Sequence, residues 1–408
     1  MIERSIWGAL KKELGKKEAI VLTGPRQVGK TTTLKWLLQH VKDNKIYLDL
    51  TLESTEQLFN YSDYNNIVNN LQGMGLDFSK RVTIAIDEIQ YSKNIPRIIK
   101  YLYDNYNIKF ILTGSSSYYL KNHFIESLSG RKLIFEILPL SFAEFLEFQG
   151  VKYKTKGIDI SEPEKWKFDK FAFQTLSCCY EEYIEFGGFP AVAMSESRER
   201  KKQLLDVIYS SYINMDVKQL ADFKSITELK KLIQLLGARV GSRLNIDELS
   251  KIIGLSRPTV SNYLSFLEQT YLIKLIPAFS KSPDVRERLP KKVYFVDTGI
   301  ANINADLSGG AKFENTVCHQ LGFFGKLSFY NDKSGEIDFI LQVGAGLRAS
   351  PYLLAIEIKE TPIKDYLLLA EKRAGKIGIN KVGLVGRFES KTFTDYAWGG
   401  EIVSGKYA

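Results

Sequence analysis

Residues 24–31 read Gly24-Pro25-Arg26-Gln27-Val28-Gly29-Lys30-Thr31, and this run decides the N-terminal fold. It fills the pattern G-x-x-x-x-G-K-[ST], in which glycines free the backbone to curl until successive N–H groups face phosphate oxygens. The flanks agree. AIVLT (19–23) is an unbroken apolar run suited to a buried strand, and TTTLKWLLQH (31–40) reads as the following helix. A helix starting at the end of the loop adds its N-terminal field to the anion site. The expected nucleotide contacts are Gly24, Pro25, Arg26, Gln27, Val28, Gly29, Lys30, Thr31 and Thr32. Within that set Lys30 reaches the β- and γ-phosphates and Thr31 places its hydroxyl on Mg2+, while Arg26 reads as structural.

Outward from the loop, VTIAIDE (82–88) is an apolar run ending in two carboxylates. Lack of alternation suits a central parallel strand covered on both faces, and ligands bind at the carboxyl ends of such strands. Asp87 is the expected Mg2+ ligand and Glu88 the general base that polarises an attacking water. An acidic helix cap would account for the pair standing alone, but not behind a complete phosphate loop. KFILTG (109–114) leads into three serines, with Thr113, and after it Ser115, expected to sense the γ-phosphate. A serine-rich loop capping the next helix accounts for the same residues. Arg131, in SLSGRK, is expected either as an arginine finger, within its own subunit or across to a neighbour, or as a surface salt bridge.

The chain has 408 residues, enough for two to four domains at roughly 150 residues each. Its 44% hydrophobic and 25% charged content is that of a globular protein, which excludes disordered, collagen-like and disulfide-scaffold classes. No apolar run approaches the ~18 residues of a membrane span, and the N-terminus lacks a signal-peptide core. A cytoplasmic location without membrane partners is expected. Cys178, Cys179 and Cys318 lack the paired spacing of a zinc site and read as reduced thiols. The net charge of +9 is uneven, since residues 200–300 hold 17 basic and 10 acidic side chains. A concentrated basic face attracts polyanions.

Residues 244–276 read as a helix-turn-helix. Ile246, Leu249, Ile252 and Ile253 make one apolar face, Gly254 closes that helix, Ser256 caps the next, and YLIKLIPAF and KKVYFVD supply a wing. Arg257, Thr259, Ser261 and Asn262 face outward on the second helix and suit DNA phosphates and base edges. Winged helices also serve as protein contacts or spacers, and that alternative stands beside the first. Further on, EIDFILQ (336–342) sets Glu336 and Asp338 on one strand face, and LLAIEIK (353–359) sets Glu357 and Lys359 on one face. Helical spacing turns Glu314 inward with Val317, Cys318 and Leu321.

GPRQVGKTT, AIDEIQ, LTGSSS, LSGR with LPLSFAEF, FGGFP, VYFVDTGIAN, FEN and EIDFIL follow one another in an order that resembles the prokaryotic AAA-type ATPases with a C-terminal domain of unknown function. The resemblance covers most of the chain. It implies an α/β chain: a P-loop NTPase parallel sheet, a helical and winged-helix segment, then a restriction-endonuclease-like domain. The expected bounds are an ATPase domain over 1–145, a helical connector over 146–225, a winged helix over 226–290 and a nuclease-like domain over 291–408. The last is similar to PD-(D/E)xK nucleases, with Asp338, Glu357 and Lys359 matching and Glu314 and Glu336 as accessories; Ile337 stands where the name-giving proline would be. That resemblance implies Mg2+ or Mn2+ on Glu314, Asp338 and Glu357, with Lys359 orienting water. Solvated amphipathic strands, or a nuclease-like fold used only for binding, explain the same residues. The implied function is a Mg·ATP-dependent ATPase with a DNA partner, in a homo-oligomer. Its competitor is a regulatory NTPase switch whose silent nuclease-like fold binds protein.

Overall fold

A computed structural model describes residues 2–60, 64–92, 94–114, 130–152, 156–217, 226–344 and 352–403. Its first sheet is wholly parallel, in the order β2 (Lys45–Asp49), β3 (Val82–Asp87), β4 (Ile108–Gly114), β1 (Ala19–Thr23), β5 (Lys132–Glu136). The three central strands are buried throughout, which is why they read as unbroken apolar runs. The helix Lys30–Gln39 covers one face through Leu34 and Leu37. Helices Tyr64–Gly73 and Ile95–Asn105 cover the other, which holds a separate core of Val21, Ile84, Ile86, Phe110 and Leu112.

Helices then take over. Lys170–Phe186 is capped by the Asp169 side chain and stopped at Gly187; Arg198–Ser211 runs on into a π-helical turn, Tyr212–Val217. The helix-turn-helix comprises Ile246–Ile253, capped by Asn245 and closed at Gly254 with φ 78°, and Arg257–Gln269, capped by Ser256. Val260, Tyr263, Leu264 and Leu267 face inward as expected, whereas Ile252 is 54% exposed and leaves the apolar face. The two strands expected as a wing, β6 (Ile273–Ile276) and β7 (Lys292–Phe295), pair antiparallel. The expected boundary at 290/291 lies in the connection between these two paired strands.

The C-terminal part runs helix Gly309–Gly322, antiparallel β8 (Gly325–Asp332), β9 (Gly335–Val343) and β10 (Tyr352–Lys359), helix Lys364–Lys376, then β11 (Lys381–Gly386) parallel to β10 and a short β12 (Ala397–Trp398). One apolar core joins Leu22 of the first sheet and Leu34 of the helix covering it to Leu249, Phe295, Phe339 and Trp398. Its continuity across the sequence-predicted bounds ties all parts into one body.

Candidate functional site

The loop after β1 is built on glycine geometry. Gly24 has φ 141°, and a Cβ there would stand 2.0 Å from the Ile137 carbonyl oxygen; Gly29 has φ 95° at the start of the helix. The helix consequently opens at Lys30, with Thr31 and Thr32 in its first turn. Lys30 is buried, and its Nζ donates to the carbonyls of Gly24 at 2.9 Å and Pro25 at 2.6 Å. Burial pulls its pKa down to about 8, against the opposing pull of nearby Glu88, Asp216 and Asp87.

β4 lies between β1 and β3, so Thr113 stands between the loop and the acidic pair. Its hydroxyl donates to Asp87 Oδ1 and accepts from the Glu88 N–H at 3.0 Å. Tyr47, on β2, donates to Asp87 Oδ2 at 3.0 Å, and its own pKa is driven well up by burial and by that carboxylate. Glu88 sits at φ 54°, a left-handed conformation that costs a non-glycine residue of order 1 kcal/mol or more. The Gln90 amide donates to its Oε2. Among the described residues no lysine or arginine pairs with Asp87, which is 2% exposed. A buried carboxylate held by the Tyr47 and Thr113 hydroxyls has the oxygen chemistry that suits a hard divalent cation such as Mg2+.

Arg131 lies apart from the phosphate loop of its own chain, in a surface salt bridge as one of the two readings expected. It precedes β5, whose Lys132 pairs with Ala19 at the entry end of β1, whereas the phosphate loop leaves from the opposite end, roughly 16 Å away at strand rise. Its guanidinium pairs instead with Asp104 at 2.9 Å on the surface. Ser115 lies outside the described residues. Arg26 does hold structure: its Nε is 2.7 Å from Asp216 Oδ2 in the π-helical turn. From that turn Tyr212 shares a 2.7 Å hydroxyl contact with Thr270, which ends the second helix of the helix-turn-helix. Beside Thr32 opens a cleft lined by Ile2, Trp7, Phe148, Pro190 and Met194. FGGFP closes onto the second half: the Gly188 N–H donates to Asp297 Oδ2 at 2.7 Å, and burial lifts the Asp297 pKa to about 6.

The C-terminal carboxylates also meet, but on lysines. Asp338 lies across from Glu357, one step beyond the Phe339–Ile356 pair. Lys359 Nζ is 2.7 Å from Glu357 Oε1 and 3.6 Å from Asp338 Oδ2, which also accepts from the Ile358 N–H at 2.8 Å. Lys292, from the wing strand, pairs with Glu336 and lies 3.5 Å from Glu314 Oε1. Tyr294 donates to that same oxygen at 2.6 Å. Burial, then Asp338, raises the pKa of Glu357 to about 7 and that of Glu314 above its usual range. Among the described residues no three His, Cys, Asp or Glu side chains are gathered to hold a metal ion. The expected ligand set of Glu314, Asp338 and Glu357 thus does not fit a metal as it stands, because ammonium groups occupy the space between its oxygens.

On the helix-turn-helix, Arg257 and Asn262 are exposed and Thr259 and Ser261 half-buried. Arg257 and Ser261 line a cleft with Arg243, Arg288 and Lys291 of the wing, while Thr259 turns its hydroxyl to the Ser256 cap at 2.8 Å. Arg257 lies 3.4 Å from Asp247 across the solvated surface.

Residues 16–146 match the family model of the AAA domain. The N-terminal segment is thus similar to AAA-type P-loop domains. Residues 179–310 match a model described as a domain of unknown function, DUF8612. An uncharacterized protein of Methanocaldococcus jannaschii is 28% identical over 377 residues, 89% of this chain and 80% of its own. An uncharacterized protein of Haemophilus influenzae is 27% identical over 341 residues, 78% of each chain. Among solved structures, the Walker-type ATPase of Pyrococcus abyssi is 16% identical, with a TM-score of 0.49 over 74% of this chain and 96% of that one.

The AAA domain brings Lys30, Asp87, Glu88 and Thr113 to one end of its sheet. Tyr47, Asp216 and Lys292 are functional-site neighbours that the sequence alone does not single out. Tyr47 lies on an edge strand with no motif, and Asp216 and Lys292 reach their sites across 190 and 44 residues from Arg26 and Glu336 respectively. No described helix is long and apolar enough to cross a membrane.

Proposed function

We propose that the protein binds Mg·ATP in the AAA domain, hydrolyses it, and engages DNA through the winged helix. The observation that carries the ATPase reading is the convergence of Lys30, Asp87, Glu88 and Thr113 at the mouth of the phosphate loop. Phosphate oxygens offer Lys30 an anionic partner in place of the Gly24 and Pro25 carbonyls. Thr31 and Asp87 would hold Mg2+, which supplies charge neutralisation on the phosphates. Glu88 is aimed by its backbone conformation and by Gln90 to accept a proton from water. Thr113 bridges Asp87 and the Glu88 backbone, so it can report γ-phosphate to both. The base of the nucleotide would lie in the apolar cleft beside Thr32.

ATP turnover in wild type, Lys30→Ala and Glu88→Gln tests this, with and without duplex DNA. Lys30→Ala should lose nucleotide binding, and Glu88→Gln should keep binding and lose turnover. Full turnover in Lys30→Ala would sink the assignment. The DNA reading rests on Arg243, Arg257, Arg288 and Lys291 around one cleft. Arg257→Ala with Lys291→Ala should weaken DNA binding and lower the log–log salt slope by about two; an unchanged slope ends it.

For the C-terminal domain, the lysine-filled carboxylate cluster favours a nuclease-like fold used for binding over one that cleaves. The strand order β8–β9–β10–β11 between two helices, with Asp338 opposite Glu357, supports the likeness. Incubation of supercoiled plasmid with Mg2+ or Mn2+ should leave it intact; nicking that disappears in Asp338→Ala would restore the cleavage reading.

A further inference from the structure

The cluster that the nuclease likeness singles out contains four carboxylates on three elements: Glu314 on a helix, Glu336 and Asp338 on β9, Glu357 on β10. Its partners are two ammonium groups of different origin. Lys359 belongs to the same sheet. Lys292 does not: it starts β7, in the winged-helix hairpin, and reaches in from outside. Its side chain is 3% exposed, paired with Glu336, 3.5 Å from Glu314, and packed over the Phe329 ring at 5.5 Å. The surrounding carboxylates outweigh its burial and hold the proton on firmly.

Lys292 is also fixed from behind. Its backbone pairs with Ile276 in the wing and bridges to Arg243 on the other side. Tyr294, two residues along the same strand face, donates to Glu314 Oε1. One strand therefore delivers both an ammonium and a hydroxyl to the carboxylate that a metal would need from the helix. Meanwhile Glu357 Oε2 is buried with no hydrogen-bond partner among the described residues, so the cluster retains acceptor capacity that its lysines leave unused. Four carboxylates against two lysines leave at most two uncompensated negative charges; without Lys292 there would be three, and Glu314 and Glu336 would each regain an oxygen.

We propose that Lys292 is an internal countercation, supplied by the winged helix, that closes the carboxylate cluster to divalent ions. This rests on the binding-platform reading of the C-terminal domain and names what keeps that site silent. Two charges of opposite sign that are already desolvated and paired exclude a competing ion more effectively than an open acidic pocket does, since the ion must break the pair before it gains its ligands. The same pair clamps the wing to the C-terminal sheet.

The test is Mn2+ titration of the nucleotide-free full chain, read by the EPR signal of free Mn2+. Wild type should show no saturable C-terminal site, meaning none that Asp338→Asn removes. Lys292→Gln and Lys292→Met should gain one saturable site per chain that a second change Asp338→Asn abolishes. Lys292→Arg should remain closed. ATP turnover in the same preparations, together with circular dichroism, shows that each variant is folded. Folded Lys292→Gln that gains no Mn2+ site would overturn the proposal, and plasmid left intact by wild type would then still leave the binding-platform reading standing. Tight Mn2+ binding by wild type that Asp338→Asn removes would also overturn it, and that result needs no variant at position 292 to fold.

Discussion

Lys30 and Lys292 are both buried lysines beside carboxylates, and burial acts on them with opposite outcomes. Around Lys30 the first partners are two backbone carbonyls, so desolvation prevails and its pKa falls to about 8. Around Lys292 the first partners are Glu336 and Glu314, so charge prevails and its pKa rises. The AAA domain holds a cation still lacking a full anionic partner, whereas the C-terminal cluster holds one already supplied. That difference separates a ligand site from a closed ion pair more sharply than the acidic residues of either site do.

The largest effect expected from breaking this comparison is at Lys30. Lys30→Ala should lower ATP turnover by at least about 100-fold, on the order of 3 kcal/mol in the barrier, because a preorganised charge on the phosphates is lost. Lys292→Met should leave that rate unchanged in the same steady-state assay. Next comes the tether of the phosphate loop. Asp216→Ala leaves Arg26 without its carboxylate in a mostly buried place and should cost about 3 kcal/mol of stability, read by urea denaturation. Asp216→Asn, which keeps a hydrogen-bond acceptor, should cost less.

Smaller effects sharpen the contrast by pH. The folded-state pKa of Glu357, about 7, exceeds its unfolded value, so the folded chain binds more protons between the ordinary carboxylate range and pH 7. Its contribution to stability is therefore lost as pH rises through that window. Melting temperatures from pH 5 to pH 8 should fall more steeply for wild type than for Glu357→Gln. At Lys30 the sign reverses: the unfolded chain binds the extra proton between about pH 8 and the usual lysine range, so this group adds stability as pH rises there. Lys30→Met should remove that rise. Smallest of all, Tyr47→Phe deletes one hydrogen bond to Asp87. A change of about 1 kcal/mol, or roughly fivefold in the Mg2+ concentration for half-maximal turnover, is expected.

The parallel sheet was legible because its signals are local: an apolar run, a glycine loop and a helix follow one another without interruption. Asp87, Glu88 and Thr113 were legible because a strand end fixes where its last residues stand. What escaped were contacts between distant segments. Arg131 sits in a suggestive motif, yet parallel pairing of β5 with β1 sends it to the far end of the sheet. Strand parity places Asp338 and Glu357, and helical spacing Glu314, but no periodicity records that Lys292 of a distant strand enters among them. The helix stop at Gly254 and the cap at Ser256 show the converse, local chemistry giving local structure.

Gly187 and Asp297 have a consequence for how this chain can vary. A Cβ at position 187 would lie 2.1 Å from Asp297 Oδ1, and Asp297 is fixed in turn by the Gly188 N–H and by the helix it caps. Glycine at 187 and a carboxylate at 297 are thus two halves of one specification written 110 residues apart. A chimera joining two relatives anywhere between those positions inherits one half from each parent. It will assemble only if both parents solved this contact in the same way. The interval contains the whole helix-turn-helix, so exchanging that module between relatives requires carrying both ends of the clasp along with it.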